Sequence, residues 1–190
     1  MRDRDESETT RTSTSAFWAA DRGAKKAQAG WNETMTTEYA IDALRAAVGA
    51  LEGARFTDVG RTLDMVELGF IRESEWVRLH VQCPFRLVRG NRILLATADM
   101  RYPVDRHADR DAAFDARTTQ FDRIAAILES VLAGTVHAVT RAEMGAGGAV
   151  RFEFADDLLA EIFPDVSGTI ECWRLFAKGS DEHHVYRARP

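Results

Sequence analysis

From Val77 to Leu87 every second position is apolar. Val77, Leu79, Val81, Cys83, Phe85 and Leu87 occupy every second position, with Arg78, His80, Gln82 and Arg86 among the residues between them. A period of two is the signature of a strand with one face buried and one face wet. A Gly90-Asn91 pair then separates this run from a second apolar stretch, Ile93 to Met100, and such a pair between two strand-like runs predicts a tight hairpin. With Gly90 and Asn91 as the loop, Val88 faces Ile93, Leu87 faces Leu94, Phe85 faces Ala96 and Cys83 faces Ala98. Pro84 has no amide hydrogen to give to a ladder, so it marks an edge or a bulge.

Helical periodicity occurs twice. Ile41, Leu44, Ala47, Val48 and Leu51 define one apolar face of a helix predicted from Glu38 to Leu51 and stopped by Gly53. Phe121, Ile124, Ile127, Leu128, Val131 and Leu132 do the same for a helix over Thr118 to Leu132. Between the first helix and Trp76, the segment Phe56 to Ile71 reads as one or two strands interrupted by Gly60 and Gly69, followed by a polar turn at Glu73-Ser74-Glu75. From Thr135 onward the pattern is a β-meander: strands at 135–141, 149–154, 158–163 and 169–176, and a last one at 183–187. The predicted fold is therefore α+β, a mainly antiparallel sheet with two amphipathic helices packed on it. Residues 1–34 mix charged and hydroxyl side chains with isolated aromatics, which predicts a disordered tail before a single domain at 35–190.

Composition narrows the function classes. The 190-residue chain carries a net charge of −5, which disfavours general binding to nucleic acid, whose affinity comes largely from neutralising phosphates with Lys and Arg. No apolar run is long enough to span a bilayer, so no membrane role and a cytoplasmic location are expected. Cys83 and Cys172 lie in predicted strands outside any ligand spacing and read as buried thiols. His107 among Asp105, Asp109 and Asp111 lacks calcium-loop spacing and reads as a solvated loop. His183 and His184 are neighbours on a strand and face opposite ways. Neither a metal nor a cofactor is expected, and no GxSxG or Gly-rich phosphate loop occurs.

Two places carry candidate binding groups. In the hairpin register above, Gln82 comes opposite Asp99 and His80 opposite Arg101, with Arg86 beside them. The result is a polar strip of an imidazole, an amide, a carboxylate and guanidiniums on rigid strands. The ordinary solvated face of a sheet is the competing reading. Trp173, in Glu171-Cys172-Trp173-Arg174-Leu175-Phe176, grips a partner if it faces outward and packs the core if it faces inward.

At WVRLHVQCPFRLVRGNRILLATADMRYP and FEFADDLLAEIFPDVSGTIECWRLF the chain resembles an uncharacterised family of small bacterial proteins common in actinomycetes. Its members carry a strand of the type LHVQCxWR and a late ExWRLF strand, and Phe85 stands here where tryptophan is usual. The resemblance implies no reaction, cofactor or catalytic residue. The expectation is a non-enzymatic module, immunity-like or regulatory, that binds another protein through a sheet face or edge; a homodimer is compatible with it. The alternative is a small ligand-binding protein or enzyme with its site around His80 and Asp99.

Overall fold

The structure, a computed structural model, describes residues 40–188. By its contacts the chain divides after residue 41, and the second unit, residues 42–190, holds the strands. The expected tail at 1–34 lies outside the described residues. Residues 40–49 are helical (α1), with Leu44, Val48 and the following Leu51 buried.

Ten antiparallel strands follow: β1 (Arg55–Thr62), β2 (Met65–Arg72), β3 (Glu75–Val81), β4 (Phe85–Arg89), β5 (Arg92–Ala96), β6 (His137–Met144), β7 (Val150–Phe154), β8 (Leu158–Ile162), β9 (Glu171–Ala177) and β10 (His183–Arg187). Between β5 and β6 lie a 3-10 turn at Thr97–Arg101, the short α2 (Arg110–Asp115) and the long α3 (Gln120–Gly134). The strand order is β10-β9-β3-β2-β1-β6-β7-β8-β4-β5. This is the expected α+β architecture with a mainly antiparallel sheet.

Tight turns explain the meanders. Leu63 and Glu73, both at positive φ, begin the turns that join β1 to β2 and β2 to β3, and Asp156 and Asp157, also at positive φ, complete the three-residue connection from β7 to β8. The two-residue loops at β1–β2 and β2–β3 match the right-handed twist of the strands they join. Gly90-Asn91 closes the β4–β5 hairpin as expected, with Arg89 opposite Arg92 and Val88 opposite Ile93. Beyond that the register slips by one residue, so Leu87 faces Leu95 and not Leu94. The bulge turns Leu95 into the core and leaves Leu94 half-buried.

The sheet rolls on itself. Phe70 on β2 and Phe152 on β7 are three strands apart in the order, roughly 14 Å along a flat sheet, yet their ring centroids are 5.3 Å apart. Phe56 and Phe154 meet at 5.1 Å. One wing, β10-β9-β3-β2-β1, thus faces the other, β7-β8-β4-β5, across a core of Phe56, Phe70, Leu79, Leu87, Phe152 and Ile162. Strand β6 makes the corner, pairing with β1 through His137 and Ala138 and with β7 from Val139 onward. Strands that pass between layers in this way bend or bulge at the crossing.

α3 packs against β1 and β5. Its buried line is Phe121, Ala125 and Leu132, with Leu128 half-buried; Ile127 and Val131, expected inside, are exposed because they lie off the face that meets the strands. α2 was not legible from periodicity. It is a capped turn in a charged loop, where the Asp109 carboxylate accepts a hydrogen bond from the Ala112 amide at 2.9 Å.

Candidate functional site on the outer sheet face

The predicted polar strip does not form. The run from Trp76 to Leu87 is not one strand, because Cys83 and Pro84 break it into β3 and β4, with five strands between them in the order. His80 and Gln82 therefore stay on one wing while Arg86 goes to the other. There Arg86 Nε donates to Glu161 Oε2 at 2.6 Å and its guanidinium lies 4.9 Å over the Phe163 ring. The segment expected to pair with His80 is a 3-10 turn. In it Asp99 Oδ2 accepts the Ala96 amide at 2.8 Å, and Arg101 is exposed at the turn's last position. Asp99 has a backbone partner and not an imidazole, because the chain leaves the sheet at Thr97.

The structure brings His80 and Gln82 together with other groups. On the outer face of the first wing, Glu67, His80 and Arg174 stand side by side on β2, β3 and β9, and Gly69, Arg78 and Phe176 form the next row. His80 sits edge-on to Phe176 with centroids 4.8 Å apart, and Phe176 lies 4.6 Å from His183 on β10. Arg174 Nη1 is 3.3 Å from His183 Nδ1. Glu171 is the acceptor for this corner: Arg174 Nε and Nη2 donate to it at 2.9 and 2.8 Å, and Gln82 Nε2 donates at 3.3 Å. Arg187 Nη2 adds a contact at 3.7 Å.

The second row depends on a missing side chain. Asp58 and Arg78 form an ion pair directly over Gly69, where a methyl group would displace both. A glycine that interrupts the apolar pattern of β2 thus lets charges on β1 and β3 meet across the strand between them. Arg78 also covers the half-exposed Trp76, 5.9 Å from its ring centre.

Burial sets the charge state of His80. Desolvation holds its pKa below the usual value; Glu67, with its carboxylate 4.0 Å away, opposes this, and Arg174 and Arg78 reinforce it. The imidazole is therefore neutral at neutral pH, an aromatic with one donor and one acceptor.

Trp173 does not belong to this face. It is fully buried, its Nε1 donates to the Gly148 carbonyl at 2.8 Å, and its ring stacks on Tyr186 at 5.6 Å. Both it and Cys172 point inward, because β9 carries an extra residue where Tyr186 pairs with Trp173 and Arg187 with Glu171. This bulge keeps Glu171 on the outer side, and strict alternation could not reveal it. The two cysteines are buried and unbridged, as expected. Burial, followed by the neighbouring Cys172 thiol, pushes Cys83 up to about 12, which leaves it a poor nucleophile.

Periodicity also gave no signal for two charged or polar groups in the interior. Arg61 is 4% exposed and is held by Asp122, and His137 is 3% exposed with neither ring nitrogen hydrogen-bonded among the described residues. No cluster of three or more His, Cys, Asp or Glu among the described residues could hold a metal ion, and no helix among them is long and apolar enough to cross a membrane.

Two shallow cavities of about 280 and 240 Å³ lie on other elements. The face itself is a surface of edge-on and tilted rings in a frame of ion pairs. No protein-family model matches the chain, and neither does any curated protein or solved structure.

Proposed function

We propose that this chain is a non-enzymatic binding module, immunity-like or regulatory in type, that engages another protein through the outer face of β3, β9 and β10. The observation that carries the reading is the group Trp76, Arg78, His80, Phe176 and His183, aromatic and guanidinium side chains packed against one another on an open sheet face. Energetic centres of protein interfaces are rich in tryptophan and arginine held in place by their neighbours and ringed by polar groups. Glu67, Glu171, Arg174 and Arg187 supply such a ring. Holding the surface in a sheet keeps the entropic cost of association low, because the side chains are already ordered.

The test compares the full chain with its Trp76→Ser/Phe176→Gln version, each used as bait in its native host with chemical crosslinking. A partner enriched by the parent and reduced about tenfold by the double variant, at unchanged circular dichroism, is the expected result. If the two baits enrich the same proteins equally, this face is not the contact surface.

A further inference from the structure

On the other side of the 3-10 turn, the loop from Tyr102 to Ala108 and the starts of α2 and α3 line the cavity of about 280 Å³. Its walls are Tyr102, Pro103, Arg106, Ala108, Arg110 and Gln120. No lining residue is acidic, and two are guanidiniums. Arg61, Arg78, Arg86, Arg151 and Arg174 each hold a carboxylate, whereas Arg106 and Arg110 make no hydrogen bond or ion pair among the described residues. Two of the nearby carboxylates accept backbone amides, Asp105 from His107 N at 2.9 Å and Asp109 from Ala112 N at 2.9 Å, and Asp111 lies in the first turn of α2 outside the cavity lining. Two cations with no protein partner among the described residues thus line one small concavity.

The cavity is also held in shape. Gln120 N donates to the Tyr102 carbonyl at 2.7 Å, Val104 N to Thr118 O at 3.0 Å, and Pro103 bridges Thr119. The Gln120 side chain is committed at both ends, to Pro103 O at 3.4 Å and to Arg123 Nη2 at 2.7 Å. Tyr102, half-exposed, leaves an aromatic wall at the rim.

We propose that this cavity binds a small organic phosphate monoester. The Arg106 and Arg110 guanidiniums take the phosphate and the Tyr102 ring lies against the organic part. A guanidinium presents a planar fork of N–H donors that matches phosphate oxygens, and two of them balance a dianion where a carboxylate would leave one cation uncompensated. The volume suits a phosphate with a single ring. This site is separate from the sheet face argued above and does not depend on it.

Calorimetric titration of the full chain with phenyl phosphate tests the proposal, with benzoate and phenol as companions and Arg106→Gln/Arg110→Gln as the variant. Both arginines are exposed, so the variant keeps its fold, which circular dichroism checks. Expected are saturable one-site binding of phenyl phosphate, a loss of about tenfold or more in the variant, benzoate weaker by a similar factor, and no binding of phenol. Binding also weakens as salt is added. Absence of saturable binding up to about 10 mM, an unaffected variant, or benzoate binding as tightly as phenyl phosphate overturns the proposal. Trp76→Ser/Phe176→Gln leaves the titration unchanged, which separates this result from that of the partner experiment.

Discussion

His80 illustrates how much of a residue's chemistry is set by its neighbours on adjoining strands. Phe176 covers it, Glu67 favours its proton, and Arg174 and Arg78 oppose it, with burial the largest influence. Because its pKa in the folded state lies below the unfolded value, the native protein takes up a proton less readily than the unfolded chain. His80 therefore contributes stability that is present above about pH 6.5 and lost as pH falls through the folded value. In urea titrations the unfolding midpoint of the parent is expected to decline as pH falls below about 6.5. His80→Gln, which keeps an amide in place of the imidazole, should make that decline shallower. An identical slope in the two proteins would show that the imidazole is not desolvated.

At the scale of elements, one carboxylate joins a strand to a helix. Thr119 and Asp122 form the capping box of α3, with Asp122 Oδ2 taking Thr119 N at 3.1 Å and Thr119 Oγ1 at 2.7 Å. The same carboxylate receives Arg61 Nε and Nη2 from β1 at 2.7 and 2.9 Å, while Arg61 also donates to the carbonyls of Leu63 and Phe114 at 2.8 and 2.6 Å. Burial pushes the Asp122 carboxyl up, but the hydrogen bonds from Arg61 and Thr119 outweigh it and hold the group below the usual carboxylate range. Its contribution is thus complete near neutrality and is lost as pH falls below about 4 through the folded value. Asp122→Ala strands a buried guanidinium and uncaps α3, and is expected to cost about 3 kcal/mol or more in chemical denaturation. Arg61→Met/Asp122→Leu should recover part of that loss, since apolar replacement of a whole buried pair removes the desolvation penalty with it. If the double variant is no more stable than Asp122→Ala, the pair's polar contacts outweigh that penalty.

Across the whole of the second unit, the closure of the two wings converges on Gly148. This residue has φ +73° and accepts Trp173 Nε1, and a Cβ there would enter the Tyr186 ring. Trp173 and Tyr186 belong to β9 and β10 at one edge of the sheet, whereas Gly148 leads into β7 on the opposing wing. Gly148→Ala is expected to cost about 2–3 kcal/mol, the sum of a strained backbone and a displaced aromatic pair. Gly147→Ala is the matched control. Its φ is also positive at +63° but open space surrounds it, so only the backbone strain of about 1 kcal/mol applies. Equal losses from the two substitutions would mean that the Trp173–Tyr186 contact contributes nothing to holding the wings together.

Local chemistry was enough to read most of the elements. Alternation identified the strands, Gly90-Asn91 the hairpin, and the spacing of Phe121, Ile124, Leu128 and Leu132 the helix that lies on the sheet. Each of these depends on residues within a few positions of one another, where backbone preference and the burial of one face act directly. The site was not readable in the same way. His80 and Asp99 part company because the chain breaks at Pro84 and sends β3 and β4 to opposite wings, a consequence of which strands pair at long range. Glu171 and Arg174 reach the outer face together because of a single extra residue at Cys172, and the cavity at Arg106 and Arg110 exists because a charged loop is pinned to α3. Partner choice, bulges and the roll of the sheet are settled by the packing of distant apolar faces against one another, and only the folded chain contains that contact.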